Sequence, residues 1–268
     1  MNVTWRIKMN KPIALVTGGS AGIGLEIARL LASDGYELVI TGQGKRVFDA
    51  AEELRKSGAE VFPVQSDLAT EEGNKTVLDV LHSRTQAPDV VVLNAGIATG
   101  GAFNDIPLER HLQLIALNVI SAVRIAHALM PGMVAKGSGK ILLVSSLSAT
   151  TPTPYEGVYG PSKAFLSSFG YGIREELSGT GVQVTILHPG ATATGFHASA
   201  GMSNTEFGDN SWKNDPALVA RQGYEGMKRG KASVVGGDEV THEAAREHRR
   251  LSEEEKARRH AVMARPKN

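Results

Sequence analysis

Ile13-Ala14-Leu15-Val16-Thr17-Gly18-Gly19-Ser20-Ala21-Gly22-Ile23-Gly24-Leu25-Glu26-Ile27-Ala28-Arg29-Leu30-Leu31 decides the fold of this 268-residue chain. Four apolar residues in a row read as a strand buried on both faces. Gly18, Gly22 and Gly24 then allow a tight turn, and Ile23, Ile27, Leu30 and Leu31 recur at helical spacing until Gly35 stops the helix. A strand that turns sharply into a helix leaves free N–H groups and the positive end of the helix dipole facing the turn, which suits a phosphate.

The alternation continues along the chain. Strands are expected at 38–40, 61–64, 90–93, 141–144, 182–187 and 232–235. Helices are expected near 46–57, 70–83, 107–135, 159–178 and 216–228. The strands are continuous β-branched runs rather than apolar–polar alternations, so both their faces are covered. Strand–helix alternation of this kind implies a parallel sheet with right-handed crossovers. The expected architecture is α/β: a doubly wound, roughly seven-stranded parallel sheet with helices on both faces, in one domain over 11–240. Residues 1–10 read as an N-terminal extension, with Met9 able to serve as the start and residues 1–8 dispensable. Residues 241–268 form a charged end, with a helix over 241–262 that is either solvated or docked on a second subunit.

Composition narrows the function. Hydrophobic residues make up 41% and charged residues 21%, enough to bury a large core. The net charge is +1 with Lys and Arg scattered, so no footprint for nucleic acid is expected. No apolar run reaches membrane-spanning length, and Met1–Lys8 lacks the apolar centre of a signal peptide. Cysteine is absent, which excludes disulfides and cysteine metal sites and is compatible with the cytoplasm. His188 and His197 have no partner at metal-binding spacing, so no metal is expected.

Chemistry enters at Tyr159-Gly160-Pro161-Ser162-Lys163. Tyr and Lys four apart share one helix face. An ammonium beside a phenol favours the phenolate and is expected to lower the tyrosine pKa, making Tyr159 an acid–base candidate. Tyr155 lacks a lysine four residues on.

These features, in this order, resemble the short-chain dehydrogenase/reductase family over about residues 11–237. Thr17-Gly18-x-x-x-Gly22-x-Gly24 is similar to its Rossmann-type cofactor turn, implying contacts from Gly18, Ser20, Gly22, Ile23 and Gly24. Asp67, with Leu68 beside it, matches the acid that meets the adenine. Asn94-Ala95-Gly96 matches the N-A-G element, with Leu93 where the family usually has Asn. Pro189-Gly190-x-Thr192-x-Thr194 matches the element that holds the nicotinamide end. The resemblance implies a catalytic set of Asn118, Ser146, Tyr159 and Lys163. Tyr159 would exchange the proton and Lys163 would tune it and hold the ribose. Ser146, thirteen residues before Tyr159, would polarise the carbonyl, and Asn118 would hold a water. Ser145 competes with Ser146, but the spacing and strand alternation favour Ser146.

The resemblance also implies a nicotinamide cofactor. Gly42 stands where NAD-preferring relatives carry an acid, and Lys45 and Arg46 lie within reach of a 2′-phosphate. Gln43 replaces the family's common arginine, and Ala21 stands where some NADP-preferring relatives have a base. NADP is therefore the expected cofactor, with NAD possible. The expected reaction is hydride transfer between that cofactor and a ketone, aldehyde or secondary alcohol, as in the carbonyl-reductase-like branch. A 3-oxoacyl reductase, a polyol or sugar dehydrogenase, and a silent NADP-binding regulator are the alternatives. The variable lid falls at 195–215, where Phe196, Met202, Phe207 and Trp212 suggest an apolar pocket. Leu147, Ser148, Thr153 and Tyr155 are further wall candidates, and no charged clamp is apparent. The long helix and the 159–178 helix resemble the family's subunit interface, implying a homodimer or homotetramer.

Overall fold

The computed structural model describes residues 11–267, so the expected extension over 1–10 lies outside the described residues. Seven strands form one sheet: β1 (Ile13–Val16), β2 (Glu37–Gly42), β3 (Val61–Gln65), β4 (Val90–Leu93), β5 (Gly139–Val144), β6 (Val182–Pro189) and β7 (Ser233–Gly236). Their order is β3-β2-β1-β4-β5-β6-β7 and every pairing is parallel. The direction of winding reverses between β1 and β4, and in open α/β sheets ligands bind beyond the strand ends at such a point.

Among the described residues eight α-helices lie between the strands, α1 (Gly22–Ser33), α2 (Arg46–Lys56), α3 (Glu71–His82), α4 (Leu108–Ile115), α5 (Ala122–Lys136), α6 (Tyr159–Glu176), α7 (Phe196–Ser199) and α8 (Pro216–Lys228), and two follow β7, α9 (Glu239–Glu247) and α10 (Glu253–Ala264). Alternate strand residues feed two cores. Leu15, Val39, Val91, Leu143 and Ile186 pack with Val77 of α3, Ile125 and Leu129 of α5 and Leu166 of α6. Ala14, Val16, Ile40, Val92 and Leu142 pack on the other face with Ile27 of α1, Val47 of α2 and Val219 of α8. A strand between two such layers cannot alternate with polar residues, which is why its sequence reads as an apolar run.

Two elements depart from the expected pattern. The helix expected over 107–135 contains a π-helical segment at Ala116–Ser121, and Asn118 sits within it. Such segments open the regular backbone bonding and are frequent at functional sites. Leu108–Lys136 has the length and composition of a membrane span, yet Leu114, Ile125, Leu129 and Met133 are buried among the sheet helices, so it is a core helix. The single helix expected over 241–262 is instead two, α9 and α10, and Ser252 caps α10 through the Glu255 amide. Neither is a free solvated tail. His248 Nδ1 lies 2.7 Å from Thr150 Oγ1, Lys256 donates to the Thr150 carbonyl at 3.0 Å, and Ala264 is fully buried.

Candidate active site

A cavity of about 940 Å3 opens above the strand ends, between the glycine turn, the start of α6, the 189–215 segment and the C-terminal helices. The glycine turn forms its floor. Gly18 and Gly22 have φ of 65° and 54°, a region that favours residues without a Cβ. Gly24 is excluded from bearing a side chain for another reason: a Cβ there would collide with the Gly18 carbonyl and the Asn94 amide. Asn94 braces the turn, donating from Nδ2 to the carbonyls of Thr17 and Gly18 at 3.0 and 3.1 Å. Ala21, at the N-cap of α1, offers no side-chain acceptor, so the first N–H groups of the helix remain free to meet an anion.

Gly18, Ser20, Gly22, Ile23, Arg46, Asn94, Ala95 and Gly96 face this cavity together with Pro189, Gly190, Thr192 and Thr194. The remaining expected cofactor residues stand off it. Gly24 lies beneath the turn, and the Leu68 side chain is in the core. Asp67 accepts from the Ala69 amide at 2.9 Å and from Gln43 Nε2 at 3.1 Å, so Gln43 and Asp67 join across the β2 and β3 ends. Lys45 is exposed at the start of α2. Gly42 is buried, and a Cβ there would lie 2.8 Å from Ser20 Oγ. No acid therefore stands at position 42 beside Ser20, and Arg46 reaches the wall, which Arg110 and the Arg29-paired Glu26 also line. These donors and close-approach glycines fit a pyrophosphate and an adjoining phosphate.

The four expected catalytic residues come from three places: the π-helical segment (Asn118), the turn after β5 (Ser146) and α6 (Tyr159 and Lys163). Tyr159 and Lys163 share one face of α6 and are 8% and 4% exposed. Lys163 Nζ donates to the Val144 carbonyl at 2.9 Å and lies 5.8 Å from the Tyr159 ring centre. Ser146 Oγ accepts from the Ser148 amide at 3.0 Å, facing the cavity beside Tyr159. Ser145 is engaged elsewhere, donating to the Lys163 carbonyl and meeting Ser167 Oγ, each at 2.8 Å. His188 approaches Ser167 Oγ at 3.1 Å, in a structural role. Asn118 Oδ1 accepts from the Ile97 amide at 2.9 Å, and its Nδ2 donates to the Ile97 carbonyl and to Ser162 Oγ. It stands behind the cavity wall, with Asn118 Oδ1 and Lys163 Nζ both against Gly96.

Burial sets the electrostatics here, and it corrects one expectation. The Tyr159 phenol is raised, not lowered: desolvation dominates, Glu156 adds to it, and contact with Ser146 opposes it. Desolvation lowers Lys163 to about 8, which weakens the charge expected to act on the phenol. A neutral phenol at neutral pH is a proton donor held ready for a nascent alkoxide.

The lid is built from rings in sequence: Tyr159 to Phe196 (5.4 Å), Phe196 to His197 (5.6 Å), His197 to Phe207 (5.0 Å) and Phe207 to His260 (5.6 Å). Burial lowers His197 to about 4, helped by Lys213 and His260, so it packs as a neutral ring. Trp212, Leu147 and Ser148 also face the cavity. Met202 does not; it is fully buried beneath Gly100. Thr153 instead accepts from the Gly160 amide at 3.1 Å, and the Tyr155 hydroxyl accepts from Arg265 at 3.1 Å. Sequence reasoning missed Glu156, His248, His260 and Met263, all on the cavity wall. It also missed Asn214, whose Nδ2 donates to the Ala191 carbonyl and to Thr241 Oγ1 and so ties α9 to the loop after β6. The Ser252-x-x-Glu255 capping box could have revealed the break before α10, but no local signal announces where that helix docks.

Three comparisons with known proteins bear on this arrangement. The short chain dehydrogenase family profile matches residues 12–204. A probable NADP-dependent dehydrogenase of Haemophilus influenzae is 35% identical over 183 residues, covering 68% of this chain and 72% of the relative. Sulfoacetaldehyde reductase 2 of Chromohalobacter salexigens is 34% identical over 187 residues, covering 69% and 74%. Among solved structures, a short-chain dehydrogenase from Sphingobium yanoikuyae in complex with NADPH superposes with a TM-score of 0.77 at 28% identity, covering 84% of this chain and 87% of that one.

Proposed function

This chain belongs to the short-chain dehydrogenase family of NAD(P)-dependent oxidoreductases, and we propose that it reduces a ketone or aldehyde with NADPH, or oxidises the corresponding alcohol, with Tyr159 as acid–base. The observation that carries this reading is the convergence of Tyr159, Ser146 and Lys163 on the same cavity as the glycine turn. Bound there, the nicotinamide supplies or accepts the hydride.

In the reductive direction Ser146 aims its hydroxyl where negative charge develops on the carbonyl oxygen. Tyr159 then gives its proton to that oxygen. Lys163 lines the cavity 5.8 Å from the Tyr159 ring centre, where it would hold the cofactor's ribose, and a lysine near pKa 8 can pass a proton at neutral pH. Asn118 holds the Ile97 backbone and Ser162, and so fixes the wall behind Lys163. Preference for NADP is supported by Arg46 on the cavity wall, by Gly42 packed against Ser20, and by the NADPH-bound neighbour. The ring-lined lid supports a substrate with an apolar body. Exposed Leu112 and Ile120 on the long helix and Phe165 and Tyr171 on α6 support a homo-oligomer built on these faces.

The test follows the near-ultraviolet absorbance of reduced nicotinamide with purified protein, NADPH or NADH, and a panel of ketones, aldehydes and diketones. Oxidation of NADPH faster than NADH is the expected result. Tight cofactor binding without turnover of any carbonyl would instead favour a silent binding protein on this scaffold.

A further inference from the structure

The substrate cavity contains a buried carboxylate to which the reaction assigns no step. Glu156 is 2% exposed and lines the cavity three residues before Tyr159. Its Oε2 has no hydrogen-bond partner among the described residues. Its one basic partner within 4 Å, among the described residues, is His260 of α10, whose Nε2 lies 3.5 Å from Glu156 Oε1. That nitrogen also makes no hydrogen bond to the described residues, and the imidazole is 9% exposed. A buried carboxylate oxygen is costly without a donor, so a donor brought to this wall gains by meeting it.

The surroundings say what that partner is. Starting at Tyr159, the cavity is ringed by Phe196, His197, Phe207 and His260 in successive ring contacts, and Glu156 closes the circle back to Tyr159. His197 is neutral within this ring. The cations nearby and on the cavity wall have other acceptors: Lys213 the Phe207 carbonyl, Arg265 the Tyr155 hydroxyl, Lys256 the Thr150 carbonyl, Lys163 the Val144 carbonyl and Arg110 the Gln113 side chain. Glu156 thus presents a carboxylate at the edge of this ring of aromatic side chains, near enough to Tyr159 for its charge to act on the phenol.

We infer that Glu156, backed by His260, selects substrates carrying a hydrogen-bond donor, an ammonium or a hydroxyl, on the carbon next to the reacting carbonyl. The substrate class is then an α-amino or α-hydroxy carbonyl with an apolar remainder. An anionic substituent at that carbon is disfavoured by like charge. This inference rests on the carbonyl-reductase reading for its kinetic test but not for its binding test.

Three aryl ketones of matched shape make the comparison: 2-aminoacetophenone (amino group on the side-chain carbon), 2-hydroxyacetophenone and propiophenone. The wild type should favour one or both donor ketones over propiophenone by at least ~10-fold in kcat/KM, because a site built for a donor penalises its absence. Glu156→Gln should bring that ratio to within about 3-fold, whatever common factor the change imposes on all three ketones through Tyr159. Which donor ketone leads tells ammonium from hydroxyl recognition. A wild type that handles propiophenone as well as both donor ketones overturns the inference, whether or not the variant folds. So does a variant that slows all three alike. If no ketone turns over, the reductase reading fails by itself. Calorimetric titration of the NADPH complex with 2-amino-1-phenylethanol, 1-phenyl-1,2-ethanediol and 1-phenyl-1-propanol then decides the inference: Glu156-dependent preference for either donor alcohol sustains it, and equal binding of all three ends it.

Discussion

Lys163 should cost the protein stability, and replacing it with Met should show how much. The ammonium is 4% exposed and has one acceptor, the Val144 carbonyl at 2.9 Å. Burial takes its pKa from 10.5 to about 8, a gap equivalent to roughly 3 kcal/mol against the charged form. In the unfolded chain the lysine stays protonated up to about pH 10.5, while in the fold it releases its proton near 8. Between those values the unfolded state binds more protons, so stability rises with pH. The penalty is fully present below about pH 8 and is relieved progressively above it. From pH 7 to pH 9 the relief amounts to ~1.3 kcal/mol, or roughly 3–5 °C in melting midpoint for a domain of this size. Lys163→Met removes the penalty and leaves the Val144 carbonyl with one fewer donor, which returns ~1 kcal/mol. The cofactor-free variant should therefore be ~1–2 kcal/mol more stable than wild type at pH 7, with the difference shrinking towards pH 9. Denaturant melts of both proteins at the two pH values measure this. A variant less stable at pH 7, or a difference that does not change with pH, would refute the claim that a charged lysine is buried here against its own preference.

Two further outcomes follow from the cavity floor. Gly24→Ala drives a Cβ into the Gly18 carbonyl and the Asn94 amide; it should cost ~1–3 kcal/mol by thermal melting and weaken NADPH binding beyond that loss, whereas a thermally silent variant would contradict the packing described. Arg46→Ala should raise the NADPH KM by ~10-fold or more with little change for NADH, and Gly42→Asp should move preference towards NADH after a small adjustment of Ser20; an unchanged ratio in both would remove the basis for NADP preference.

Much of the fold was legible because parallel strands covered on both faces must be apolar runs. Leu15 and Val16 of β1 face opposite cores, and neither could be polar. The glycine turn was legible for the same kind of reason, since the collision at Gly24 leaves room for nothing larger. What escaped was long-range. Glu156 and His260 meet across 104 positions, and no local pattern marks either residue. The charges that make residues 241–262 look solvated are spent in local pairs such as Arg259 with Glu247 and Glu255, while Ala264 and His260 turn inward. The π-helical segment around Asn118 has an ordinary helical sequence, because it depends on how that residue bonds to Ile97. The sign of the Tyr159 shift was misjudged for a physical reason: spacing reports that a lysine is near, but not that both groups are dry.

The most direct test of the central claim is single-turnover reduction by Tyr159→Phe with NADPH prebound. The account predicts NADPH affinity within a few-fold of wild type and a hydride-transfer rate lower by ~100-fold or more, as the loss of a positioned proton donor requires. A variant that reduces the carbonyl at near wild-type rate would contradict the assignment of Tyr159 as the acid.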